Sequence, residues 1–342
     1  MAFANSNYSD ILATTIENRS KKVADNVTSN NALLARLKAR GKVKPFSGGH
    51  KIIQELSFAE NANTGWYSGY DLLPVGVSDV ISAAEFTIKQ AAVPVVISGL
   101  EQLQNAGKEA MIDLMEARLS VAESSMANLL CDGIYSDGTG SGGKEIDGLN
   151  AAVPVDPSTG TYGNINSANW SFWRNAASDQ TAANGLDATK IQGYWNNLWA
   201  SLVRGSDRPD MIVCDTTVWE TYIASLQAQQ RYTNTNSADA GFPSVKFFDA
   251  DVVLDGGIYN VSSAAATPAG ITGAVGAPSG TAYFLNTDYI FYRPHRDRNM
   301  VPLSPNRRYA TNQDAEVQIM AWAGNMTCSG RQFQGRYDAN GV

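Results

Sequence analysis

Histidine, cysteine and charge are all scarce in this sequence of 342 residues. Its two histidines, His50 and His295, leave little material for general-base, triad or zinc chemistry. Its three cysteines, Cys131, Cys214 and Cys328, are widely spaced and form no C-x-x-C or Cys/His pair, so neither a disulfide framework nor a zinc site is expected. Buried, inert thiols are the simplest reading. No apolar run approaches the roughly 20 residues of a membrane span. The longest, from Ala91 to Ile97, contains Pro94. Residues 1–7 carry neither a basic nor an apolar region, so a cytosolic protein that touches no membrane is expected. Charged residues make up 17% of the chain, against about 25% in an average domain, which is sparse clothing for a monomer.

The charge that is present is segregated. Residues 1–47 hold eight Lys/Arg against three Asp/Glu, residues 48–292 eleven against 26, and residues 293–342 seven against four. An acidic middle between basic ends argues against nucleic-acid binding by the main body, because affinity for phosphate comes largely from Lys and Arg. The ends alone could touch it. A basic arm paired with acidic neighbouring subunits is the competing reading.

Along the chain, residues 1–47 read as an arm, since their apolar residues are too sparse to close a core. Ser29 or Asn30 is expected to cap a short helix through Ala39 that stops at Gly41, with an apolar stripe including Leu33, Leu34 and Leu37 that must dock elsewhere. Period-two patterning then predicts strands over 50–60 and 81–93, joined by a tip over 61–80 rich in Gly, Asn and Ser. An isolated hairpin is marginal in water, so it must lie on its own chain or on a neighbour. From Gly99 to about Ile134 the spacing of Leu100, Leu103, Met111, Leu114, Met115, Leu119, Ala122, Met126, Leu129 and Leu130 predicts one long amphipathic helix.

Beyond a turn-rich stretch, Asp187 is expected to cap a helix to about Val203, and Met211–Cys214 reads as a short buried strand. Asp215 or Thr216 should cap the helix that follows, and 245–254 should form a strand pair. Residues 262–280 are low in complexity and predict a loop. Strands at 282–285, 289–292 and 317–322 close the chain, so the class is α+β, with an α/β section over about 139–282.

Motifs for chemistry fail on inspection. Gly138 to Lys144 matches most of a P-loop, but Glu145 stands where Ser or Thr must ligate magnesium. Asp249, Asp251 and Asp255 suggest a calcium loop, yet the positions for Gly and the closing Glu hold Leu254 and Asn260. No catalytic site and no cofactor are expected. Trp66, Tyr67 and Tyr70 at the hairpin tip point instead to contact with another subunit, because such side chains carry much of the binding energy at protein interfaces. In the arm, Leu33, Leu34, Leu37, Lys38, Arg40, Lys42 and Lys44 are the expected contacts.

The order of these parts is a basic arm, a long hairpin entered through Ser47-Gly48-Gly49, a spine-length helix, an α/β section, and closing strands ending in Met320-Ala321-Trp322-Ala323-Gly324-Asn325-Met326. That order resembles the major capsid proteins of tailed bacteriophages, with the Hong Kong 97-type fold. The resemblance implies an N-terminal arm at 1–47 and an extended β-hairpin loop at 48–98. It also implies a peripheral domain made of the spine helix and strands at 99–138 and 283–342, and an axial α/β domain at 139–282. It further implies a virion protein assembled in the host cytoplasm as hexamers and pentamers of an icosahedral shell. Its partners would be further copies of itself, scaffolding, portal and decoration proteins, and packaged double-stranded DNA contacted without sequence preference. The tip at 61–80 has no lysine, so the Lys–Asn cross-link of part of that family looks unavailable, and the absence of a long prodomain implies separate scaffolding or none. The alternative is another assembly-forming protein, an encapsulin-like compartment or a tail tube.

Overall fold

The computed structural model describes residues 31–73, 75–100, 108–226, 244–255, 276–303, 308–309 and 315–341. The arm before residue 31, residues 101–107 of the expected long helix and most of the low-complexity stretch therefore lie outside the described residues.

The chain is a mixed α+β protein with two main sheets. Its elements are the arm helix α1 (Ala32–Ala39), strands β1 (Lys51–Ser57), β2 (Ile81–Thr87) and β3 (Lys89–Ser98), and the spine helix α2 (Lys108–Gly133). Then come β4 (Thr161–Tyr162), β5 (Ile165–Asn166), β6 (Ala176–Asp179), α3 (Ile191–Leu202), β7 (Met211–Cys214) and α4 (Thr216–Leu226). The remaining strands are β8 (Ser244–Phe247), β9 (Ala250–Leu254), β10 (Thr281–Leu285), β11 (Ile290–Pro294), β12 (Val301–Pro302), β13 (Arg308–Tyr309), β14 (Ala315–Cys328) and β15 (Gly335–Asp338). No helix among the described residues is long and apolar enough to cross a membrane.

The first sheet has six strands in the order β6-β15-β10-β7-β9-β8. Period-two alternation divides its inner strands between two cores: Ile212 and Cys214 face α3 and α4, while Met211 and Val213 face the rest of the molecule. Trp195 of α3 anchors the first core, stacked on Tyr222 with ring centroids 4.6 Å apart and meeting the edges of Phe247 and Phe284. Asp215 caps α4, accepting from the Thr217 backbone at 3.2 Å. Asp187 instead caps the turn before α3, accepting from Thr189, so that helix starts at Ile191.

One strand expected with the closing section belongs here, β10, which pairs with β7, and so does the unexpected β15, which lies between β10 and β6. The chain's last strand therefore completes the α/β sheet. β15 reads as polar and escapes a hydrophobic pattern, because Arg336 and Asp338 are buried as an ion pair at 2.8 Å.

The second sheet is built on β14, flanked by β11, β12 and β13 on one side and β3 on the other. The expected strand 81–93 is in fact two. Ile88 separates β2, which pairs with β1, from β3, which pairs with β14 over ten residues. Pro94 is tolerated because β3 pairs with β14 alone among the described residues, and an open edge asks no N–H of it. β14 is longer than 317–322. It runs through Gly324, where a Cβ would come 2.6 Å from the Arg293 carbonyl, and through buried Asn325, whose amide donates to Asp147 at 2.7 Å and to the Thr87 carbonyl at 2.9 Å.

The spine helix packs on β3, burying Leu119, Ala122, Met126, Ala127 and Leu130. Leu129, expected in that stripe, is half exposed on the outer face with Val121.

Candidate assembly surfaces

The hairpin divides into a locked base and an unsupported tip. In β1 and β2, alternation buries Ile52, Leu56, Ala84 and Phe86 on one face and leaves Lys51, Ile53 and Ser57 in solvent. The buried face meets the small β4–β5 hairpin, where Phe86 and Tyr162 make an edge contact at 5.0 Å. Gly163 supplies the turn there with φ +58°, and any Cβ on it would stand 2.8 Å from that of Ala84. Phe58 packs on Phe172 at 5.2 Å. Beneath them Arg331 is fully buried with no carboxylate partner among the described residues, donating to the Ala152 carbonyl at 2.6 Å and Ser167 at 2.7 Å, with its guanidinium over the rings of Tyr162 and Trp173. The base thus lies on its own chain.

Past Phe58 the hairpin carries only local bonds, such as the turn in which Asp71 accepts from the Ser68 backbone at 2.9 Å. Trp66 and Tyr70 are fully exposed, and Tyr67 is largely so. Leu72, Leu73, Val75, Val77 and Ile81 join them in solvent. The sequence reading missed these five, although the alternation of Leu73, Val75 and Val77 is an apolar period-two signal without a partner strand. So much exposed apolar surface in one projection is uncommon on a soluble monomer and makes the tip a candidate contact surface.

The arm departs from expectation. Asn31 caps α1, accepting from the backbone of Leu33 at 2.9 Å and Leu34 at 3.2 Å, and Gly41 ends it with φ +66°. Leu33, Leu34 and Leu37 are fully buried in this chain's own core, so no neighbour is needed to cover them. The cations follow the same logic. Arg36 pairs with Asp210 and Asp251 at 3.4 Å, Arg40 with Asp210 at 3.2 Å and Asp288 at 3.3 Å, and Lys42 with Asp288 at 3.1 Å. The acids expected on a neighbour are supplied by the strand ends of the same subunit. Lys38 is exposed, and Lys44 sits 4.9 Å from the centre of the Phe291 ring.

Asp255 lies under α1, accepting from Asn31 at 2.8 Å and from the Tyr135 hydroxyl. Burial raises its carboxyl above the ordinary range, and those two hydrogen bonds hold it partly down. A raised value means that the folded chain binds the proton more tightly than the unfolded one. The stability this group contributes is full below the ordinary carboxylate range and is lost as pH rises through the shifted value. Asp255→Asn keeps an acceptor for both donors and removes the charge. Its melting temperature relative to the parent should therefore rise between about pH 4 and about pH 7. A constant offset in thermal melts across that range would contradict this account.

Reactive chemistry finds little purchase. All three cysteines are free. Burial, reinforced by Asp255 and Asp132, pushes the Cys131 thiol up to about 12, and burial pushes Cys328 up to about 11. Among the described residues no cluster of His, Cys, Asp and Glu is placed to hold a metal ion. The lysines at the hairpin base are engaged, Lys51 with Glu85 at 2.5 Å and Lys89 with the Gly143 carbonyl at 2.6 Å. Particles boiled in detergent without reductant should thus give a single band near 36.7 kDa. A ladder of heavier bands on the gel would refute a non-covalent assembly.

No protein-family model and no curated protein matches this sequence. Solved structures do match in three dimensions. The capsid asymmetric unit of cyanophage A-1(L) superposes with a TM-score of 0.61 at 13% identity, over 88% of this chain and 92% of that one. The fold is that of a phage capsid protein. The capsid of a native GTA particle follows with a TM-score of 0.53 at 10% identity, over 88% of this chain and 89% of that one. A structure from Mycobacterium phage Ogopogo matches with a TM-score of 0.50 at 11% identity, covering 90% and 92%.

Proposed function

We propose that this chain is the major structural subunit of an icosahedral viral shell of the Hong Kong 97 type, assembling as hexamers and pentamers around double-stranded DNA. The observation that carries the reading is the capsid fold along nearly nine tenths of the chain, joined to a hairpin tip whose apolar side chains are exposed among the described residues. In that scheme the arm is 1–47, the extended loop 48–98 and the peripheral domain 99–138 with the β11–β14 section, while the axial domain expected at 139–282 also takes β10 and β15 out of the expected 283–342. Trp66, Tyr67 and Tyr70 are the contacts offered to the next subunit. Lys44, just beyond the exposed end of the arm helix, is available for contacts outside the subunit, and Lys38 lies exposed beside it, whereas Leu33, Leu34, Leu37, Arg40 and Lys42 hold the arm to its own body. Scaffolding, portal and decoration proteins are the partners such a shell calls for, and the virion is its location. The protein acts by geometry and contact, without catalysis or cofactor. Sedimentation velocity of the purified chain tests this. Megadalton particles support the shell, and a single species near 36.7 kDa at all concentrations and salts opposes it.

A further inference from the structure

Described stretches of the two basic ends, residues 42–46 and 292–296, meet in space. Residues 42–46 run parallel to β11, with the Lys44 backbone donating to the Tyr292 carbonyl at 2.9 Å, Phe46 to Pro294 at 3.1 Å, and Arg296 back to Phe46 at 2.9 Å. The cations brought together fall into two sets. Arg36, Arg40 and Lys42 are paired with acids of the body. Lys44, Arg296 and Arg298 are exposed, and none of them has a carboxylate within salt-bridge distance among the described residues. Asp297 is the one acid in 293–298, and its backbone donates to His295 at 3.1 Å.

We propose that this strip, Lys44 with Arg296 and Arg298, is a binding surface for the phosphate backbone of duplex nucleic acid. Residues 48–292 carry 26 acids against eleven bases, so most of the surface repels a polyanion and the strip is where one can approach. Two of its three cations are guanidinium groups, whose planar forks match phosphate oxygens in pairs. Contacts to the phosphate backbone carry no sequence information, so binding of this kind is independent of sequence. A second copy is the less favoured partner, because Asp210, Asp251 and Asp288 of the body already hold the arm; the exposed hairpin acids Glu60 and Asp79 make it an outcome of the test. The inference rests on the shell reading for its occasion, since a closed shell is what would hold a genome against such a strip.

The test is fluorescence anisotropy of a labelled random duplex of about 30 base pairs, titrated with the full chain between about 50 and about 200 mM salt. The variant Lys44→Gln/Arg296→Gln/Arg298→Gln is compared with Lys144→Gln/Lys190→Gln/Arg208→Gln, which removes equal charge from exposed positions elsewhere. The strip variant should bind at least tenfold more weakly, and the slope of log affinity against log salt should fall by about two to three, near 0.9 per lost phosphate contact. The control variant should keep the parent slope, and both should melt like the parent. Equal losses in the two variants, or no loss in the strip variant, would overturn the proposal. So would a strip variant that binds duplex normally but fails to assemble, which assigns the strip to a second copy. A parent chain that binds duplex through the strip yet forms no shells would overturn the shell reading alone.

Discussion

Replacing residues 61–80 by Asn-Gly should give a chain that folds, melts within a few degrees of the parent and forms no shells. The base of the hairpin is held by buried Ile52, Leu56 and Phe86 and by the contacts of Phe58 and Phe86 with Phe172 and Tyr162, all of which survive the replacement. With Ser57 still opposite Ile81, the shortened connection of Phe58, Ala59, Glu60, Asn and Gly is a five-residue loop, a length that antiparallel hairpins accept. What disappears is Trp66, Tyr67, Tyr70, Leu72, Leu73, Val75 and Val77, all of them in solvent within the subunit. Burying one such side chain against a neighbour contributes about 1.5–3 kcal/mol. Several together outweigh an association cost of roughly 4–15 kcal/mol, and without them the cost stands unmet. Thermal melts and electron micrographs of the same preparation check both halves. Normal shells from the shortened chain would show that the tip is not the contact.

On the spine helix, Met126→Asp should abolish soluble folded protein, while Val121→Asp should melt close to the parent. Met126 is completely buried, and an aspartate there is a carboxylate without a partner. Its cost of several kcal/mol is a large part of a total stability of about 5–15 kcal/mol. Val121 is two-thirds exposed on the opposite face, where the change is limited to a modest loss of helix propensity. Equal behaviour of the two variants in expression and melting would mean that the buried face of α2 is wrongly assigned.

Much of this fold was legible because its strongest signals are periodic. The spine helix follows from the spacing of Leu119, Met126 and Leu130, and β7 from the run Met211–Cys214. The break at Ile88 was not legible, because apolar alternation continues across it and only the pairing partner changes, from β1 to β14. β15 was hidden by its polarity, since the pairing of Arg336 with Asp338 that allows its burial is a three-dimensional fact. The arm misled for a related reason. Three leucines on one short helix demand a cover, but local sequence does not say whose, and the answer was the subunit's own core and its own aspartates. At the candidate site, Trp66, Tyr67 and Tyr70 stood out as aromatics in a turn-rich stretch. Leu72 to Val77 did not, because ordinary aliphatics announce an interface only when their exposure is seen.

The central claim is that the subunit is built to be completed by copies of itself in a closed shell. Negative-stain electron microscopy of the purified full chain, alone and with added duplex DNA, tests it most directly. The account predicts closed, rounded shells of narrow size distribution. Discrete monomers or small oligomers at every concentration and salt, or open tubes with no closed particles, would contradict it.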